Sequence, residues 1–135
     1  MTEGLFPDGA VLVVGGSGGI GRFVCREFAK AGANVALTYR SKKDVADEVV
    51  ADITALGRKS AAYALNVGDT DQVSTVLETA EKEFGRIHTI VYGAAPLAEQ
   101  VYIAETSTEQ WTKAMDLETN GFFRAVKAAV PHLRA

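Results

Sequence analysis

The chain has 135 residues, 47% hydrophobic and 23% charged, with a formal net charge of −3. That is enough apolar material for one α/β domain with its own core and too little length for two. The acidic balance, broken only by a basic cluster at 40–43, argues against nucleic acid as a partner, and no apolar stretch approaches the ~20 residues of a membrane span. Met1 to Gly9 carries two acids and no apolar signal core, so a cytoplasmic protein is expected. The single Cys25 reads as a small buried hydrophobe of a reducing compartment, and no metal site is expected.

Ala10-Val11-Leu12-Val13-Val14 is a continuous apolar run of the kind that forms a parallel strand buried on both faces. It stops in Gly15-Gly16-Ser17-Gly18-Gly19-Ile20-Gly21. A strand that ends in clustered glycines brings bare backbone N–H groups and a helix N-terminus to one point, and that point attracts phosphate. Gly15 is placed to take the positive φ that turns the chain. Gly19 would let the backbone approach a pyrophosphate, and Gly21 would let the helix pack closely on the sheet. Ile20, Phe23, Val24, Phe28 and Ala31 then recur at helical spacing, Gly32 stops the helix, and Asn34 to Thr38 reads as a second strand.

Three other motifs share these letters. Gly16 to Gly21 has P-loop spacing, but Arg22-Phe23 stand where Lys and Ser/Thr must reach phosphate and magnesium. Gly15 to Gly19 spells G-x-S-x-G, a hydrolase nucleophile elbow, yet no upstream loop supplies an oxyanion hole and the only histidines are His88 and His132. A methyltransferase would want an acid at the end of the second strand, where there is none.

Onward, Lys43 to Leu56 predicts a helix closed by Gly57, Ser60 to Leu65 a strand, Thr70 to Phe84 a helix closed by Gly85, and Ile87 to Tyr92 a fourth strand. Right-handed crossovers then build a doubly wound parallel sheet, a three-layer α/β/α Rossmann-type fold with four strands, whose chain reversal beside the first strand marks the ligand crevice. A last helix is expected from about Thr108 to Val130, opened by a capping box Thr106-x-x-Glu109 and ended near Pro131.

These residues resemble the N-terminal half of the short-chain dehydrogenase/reductase family. The family's T-G-x-x-x-G-x-G falls on Val14 to Gly21. Leu65-Asn66-Val67, Gly85 to Val91, Met115-Asp116-Leu117 and Gly121-Phe122 follow in the family's order. The resemblance covers essentially the whole chain, and residues 1–135 read as a single dinucleotide-binding domain, the N-terminal part of a longer chain. It implies hydride transfer to or from a carbonyl or alcohol substrate with a nicotinamide cofactor, or to an activated double bond. The alternative is a dinucleotide-binding or assembly module without catalysis.

The implied pocket takes Gly15, Ser17, Gly18, Gly19, Ile20 and Gly21 at the first turn, Tyr39, Arg40 and Ser41 after the second strand, Asn66 and Val67 after the third, and Gly93 and Ala94 after the fourth. An NAD-type pocket ends its second strand with an acid for the ribose 2′-OH; here the first acid is Asp44, and Arg40 offers a permanently charged fork. NADP(H) is therefore favoured over NAD(H), although Arg40 to Lys43 also reads as a solvated charge run. Asn66 and Val67 stand where the family sets an Asp-Val pair against adenine, and a plain strand-end turn explains Asn66 as well.

Several positions depart from the family. Val14 lacks the hydroxyl that would tie the loop to the end of the fourth strand. Asn-Asn-Ala-Gly becomes Tyr92-Gly93-Ala94-Ala95, removing two bracing amides. Glu118 occupies the slot of the helix Asn that serves a proton relay, and Asn120 lies roughly 200° further round, out of reach without a helix distortion. Glu118 and Asn120 are the relay candidates. The family's catalytic Ser and Tyr-x-x-x-Lys follow the long helix and have no counterpart before Ala135; Tyr39 to Lys43 spells the latter at the wrong corner. The long helix, with Trp111, Met115, Phe122, Val126 and Val130, implies a homodimer or homotetramer through residues 108–130.

Overall fold

The computed structural model describes residues 4–95 and 101–135; Met1 to Glu3, the start of the N-terminal segment discussed above, lie outside the described residues. Strands β1 (Ala10–Val14), β2 (Asn34–Tyr39), β3 (Ser60–Ala64) and β4 (Ile87–Tyr92) form one parallel sheet in the order β3-β2-β1-β4. Helices α1 (Gly21–Lys30), α2 (Lys43–Ala55) and α3 (Thr70–Phe84) alternate with them. After β4 come a 3₁₀ turn (Ile103–Glu105), α4 (Thr108–Met115), a π-turn (Asp116–Asn120) and α5 (Gly121–Arg134).

The expected three layers follow from period-two alternation on strands whose buried residues are apolar but for Thr38. Val11, Val13, Val35 and Leu37 face α1 and α2, packing on Cys25, Ala29, Ala46, Val49 and Ile53. Leu12, Val14 and Ala36 face the other way, against Val73, Leu77 and Ala80 of α3 and Ala129 of α5. The chain reverses beside β1, which has β2 on one side and β4 on the other, so the carboxyl ends of β1 and β4 open the crevice foreseen from the element order.

Three local expectations are corrected. The buried stripe of α1 is Gly21, Cys25 and Ala29, with Val24 and Phe28 at its margin, whereas Ile20 and Phe23 are 83% and 60% exposed. Small residues at i, i+4 and i+8 let the helix sit close to the sheet and push the large ones to the rim. There the Arg22 and Arg26 guanidiniums lie 5.8 and 5.7 Å from the Phe23 ring centre.

The capping box opening α4 is Ser107 with Gln110: the Gln110 amide donates to Ser107 Oγ at 3.1 Å and the Ser107 amide to Gln110 Oε1 at 2.8 Å. Thr106 is spent on the preceding turn, its hydroxyl donating to the Tyr102 carbonyl at 3.1 Å. Pro131 lies inside α5, which runs on to Arg134. A missing N–H is tolerated in a last turn that is held otherwise, by His132 Nδ1 at 2.9 Å from Glu81 Oε2 and by Leu133 against the core.

Candidate functional site

The β1–α1 turn is held by backbone and by one side chain on the neighbouring strand. Gly15 has φ +78°, as its turning role requires, and its amide donates to Thr38 Oγ1 at 3.0 Å. Thr38 is a buried polar residue near the end of β2. It had no signal in the sequence beyond its place at the end of an apolar run. Val14, which lacks the family's hydroxyl, is tied to the end of β4 through its main chain, the Gly93 amide donating to its carbonyl at 2.8 Å.

Each glycine answers a distinct steric demand. A Cβ on Gly21 would lie inside the Gly15 carbonyl oxygen, 2.9 Å from the Gly15 carbonyl carbon and 3.0 Å from Gly16 Cα. Gly21 is thus required by the turn's own backbone besides lying on the buried face of α1, and Gly16 holds the turn close to the sheet. A Cβ there would meet Leu37 Cβ at 2.5 Å and Cys25 Sγ at 2.9 Å. Cys25 sits beneath the turn, its thiol directed at the Gly16 carbonyl at 3.7 Å, and burial pushes its pKa up to about 12, so it stays a neutral packing group. A Cβ on Gly19 would meet nothing within 4 Å, so that edge of the turn is open.

No side chain caps α1, whereas Asp69 caps α3 and Ser107 caps α4. The Gly18 amide donates to Gly15 O at 3.1 Å, while among the hydrogen bonds of the described residues none uses the amides of Ser17, Gly19 or Ile20. Unpartnered donors at a helix N-terminus, on an open glycine edge, make a cradle for an anion.

At the end of β2, Tyr39 is half-buried and Arg40 and Ser41 are exposed. Lys43 is paired with Asp47 at 2.7 Å and Arg26 with Asp52 at 2.5 Å, but Arg40 makes no ion pair among the described residues. At the end of β3 the Leu65 amide donates to the Tyr39 carbonyl at 2.8 Å, so Arg40 and Leu65 leave adjacent strands at one level and Asn66 follows one residue on. Asn66 Oδ1 accepts the Gly68 amide at 3.0 Å, and Val67 is buried. Gly93 and Ala94 follow β4 directly, on the β1 side of the crevice.

Beside them, Tyr92 replaces the missing amide brace with a phenol. Its hydroxyl donates to the Leu117 carbonyl within the π-turn, its ring stands edge-on to Phe122 at 5.9 Å and 83°, and burial raises its pKa. The turn is completed by the Gly121 amide donating to Asp116 O, five residues back. This is the distortion that Asn120 would need, yet Asn120 turns to Asp116, its Nδ2 donating to Oδ1 at 3.1 Å; Glu118 is exposed. Arg124 donates to the same Asp116 oxygen, Oδ1, at 2.5 Å and to the Val67 carbonyl at 3.4 Å. The Arg124 guanidinium first, then the Asn120 amide, hold the Asp116 pKa below the usual carboxylate range.

The family model described as short chain dehydrogenase matches residues 9–135. The chain belongs to that family. It is 31% identical over 124 residues to the Staphylococcus aureus 3-oxoacyl-[acyl-carrier-protein] reductase FabG, covering 92% of this chain and 50% of that protein. It is 37% identical over 119 residues to a Yarrowia lipolytica protein described as "Probable NADP-dependent mannitol dehydrogenase", covering 87% and 42%. Among solved structures, an NADH-dependent reductase A1-R′ complexed with NAD superposes with a TM-score of 0.86 at 22% identity, covering 99% of this chain and 55% of its own, a likeness of fold. The chain spans about half the length of the curated relatives it matches. Among the described residues of this short-chain dehydrogenase no helix is long and apolar enough to cross a membrane.

Proposed function

We propose that this chain is the cofactor-binding part of an NADP(H)-preferring short-chain dehydrogenase/reductase acting on a small carbonyl or alcohol substrate. The carrying observation is the α1 N-terminus without a side-chain cap, its Ser17, Gly19 and Ile20 amides unbonded among the described residues, on the strand next to the one that ends at Arg40, which makes no ion pair among those residues. These residues fit a dinucleotide: Gly15, Ser17, Gly18, Gly19, Ile20 and Gly21 would cradle the diphosphate. Tyr39, Arg40 and Ser41 would surround the 2′-phosphate, Asn66 and Val67 would meet the adenine, and Gly93 and Ala94 would lie along the nicotinamide side. The nicotinamide, when bound, supplies or accepts the hydride. The names of the relatives, a reductase and an NADP-dependent dehydrogenase, favour the enzyme over a non-catalytic module.

Glu118 and Asn120 are proposed at the proton relay. Asn120 is held by Asp116, and Glu118 is the group left facing solvent. A homodimer or homotetramer through residues 108–130 is supported by the exposure of Trp111, Phe122 and Phe123 on consecutive helical segments. A cytoplasmic location fits the acidic composition and the single, reduced Cys25.

Titration calorimetry with NADPH and NADH tests the cofactor assignment. Tighter binding of NADPH is expected, and Arg40→Ala should remove about tenfold of that preference, the scale of one charge-assisted phosphate contact. An unchanged NADPH/NADH ratio in the variant would show that Arg40 does not read the 2′-phosphate.

A further inference from the structure

The loop after β3 holds the Asn66 side chain in one orientation. Asn66 is fixed at both its main chain and its side chain: its amide donates to Gln72 Oε1 at 2.9 Å, and its Oδ1 accepts the Gly68 amide at 3.0 Å. Gln72 is itself held, its Nε2 donating to Asp69 Oδ2 at 3.1 Å, and Asp69 Oδ1 takes the amides of Asp71 and Gln72. Of the two ends of a side-chain amide only the oxygen accepts from an N–H, so the Gly68 bond settles which end of Asn66 faces the loop. The Nδ2 group, with two donors, is the outward end, and it has no hydrogen bond among the described residues.

Asn66 lies one residue beyond the level at which Arg40 leaves β2, because Tyr39 is opposite Ala64 and the Leu65 amide is bonded to the Tyr39 carbonyl. A nucleotide whose 2′-phosphate meets Arg40 therefore lays its purine against the Asn66 loop. A carboxylate at this position could only accept, and would select the 6-amino edge of adenine. An amide whose nitrogen points outward donates, and finds an acceptor either at ring N1 of adenine or at the 6-oxo oxygen of hypoxanthine.

We infer that Asn66 makes this site permissive at purine position 6, so that a dinucleotide bearing a 6-oxopurine binds as well as one bearing adenine. The inference rests on the dinucleotide site proposed above and adds its base specificity.

The test compares NADPH with reduced nicotinamide hypoxanthine dinucleotide phosphate by calorimetry, on the unaltered chain and on Asn66→Asp. The variant is nearly isosteric and can still accept the Gly68 amide, and a thermal melt checks that it folds. The unaltered chain should bind the two within about twofold, and Asn66→Asp should turn that into a preference for NADPH of about tenfold or more, the size of one mismatched hydrogen bond. A tenfold preference for adenine in the unaltered chain, or a variant with an unchanged ratio, overturns the role of Asn66 while leaving the dinucleotide site standing. Failure of the folded chain to bind either compound overturns the site itself.

Discussion

Gly21→Ala is expected to destabilise the fold by about 1–3 kcal/mol, the range for forcing atoms into a packed site, and to abolish measurable dinucleotide binding. The direction is diagnostic, because Gly to Ala within a helix ordinarily stabilises by about 0.5–1 kcal/mol. At this position the added carbon has nowhere to go: every atom it would strike is backbone of Gly15 and Gly16, so the turn must open to admit it. An opened turn breaks the bond from the Gly15 amide to Thr38 and moves the free amides away from a common focus. Gly19→Ala is the matched comparison. Its carbon meets nothing within 4 Å, so urea denaturation should show stability unchanged or raised while affinity for NADPH falls. If Gly21→Ala raises stability, the close approach within the turn is not what requires glycine there.

Gly121→Ala should likewise cost about 1–3 kcal/mol, and Tyr92→Phe should remove most of that cost. A Cβ on Gly121 would fall on the Tyr92 hydroxyl, with Tyr92 Cζ and Val67 Cγ2 each at 3.3 Å. Deleting the hydroxyl leaves only the 3.3 Å contacts, which neighbours can relax by a few tenths of an ångström. Alone, Tyr92→Phe loses the bond to the Leu117 carbonyl, about 1 kcal/mol. The two changes should therefore be strongly non-additive, with a coupling of about 1–3 kcal/mol in a double-mutant cycle measured by urea denaturation. Additive effects would mean that the phenol and the glycine are not matched across the β4–α5 junction.

This pair shows why some departures from the family pattern are not defects. Tyr92 in place of an asparagine reads in sequence as a lost brace, but the phenol bridges β4 to the π-turn, and Gly121 is the residue that makes room for it. A sequence can show that each residue is unusual. It cannot show that a strand end and a helix start meet, because that contact joins residues 29 positions apart.

The alternation of largely apolar runs and helical segments made the parallel sheet and the chain reversal beside its first strand legible, and α1, α2 and α3 each have a glycine stop. Gly15 was equally legible, because only its positive φ was needed. Gly16 and Thr38 were not: their roles depend on Leu37, Cys25 and the Gly15 amide, which only the folded sheet brings near. The buried stripe of α1 was misplaced because hydrophobicity alone ranks Ile20 and Phe23 above Gly21 and Ala29. Helix-to-sheet distance ranks them the other way. Asn120 gave a partial signal, since its register reaches the relay slot only through a helix distortion, and the π-turn lies at that place with its Leu117 carbonyl bonded to Tyr92.

The central claim is that a dinucleotide diphosphate rests on the amides of the β1–α1 turn. Titrating the ¹⁵N-labelled chain with NADPH and following its amide resonances tests this most directly. Saturable shifts are predicted to be largest at Ser17, Gly19 and Ile20, with a second group at Arg40 and Ser41. A folded chain whose turn amides do not move at millimolar NADPH, or whose shifts cluster elsewhere, would contradict it.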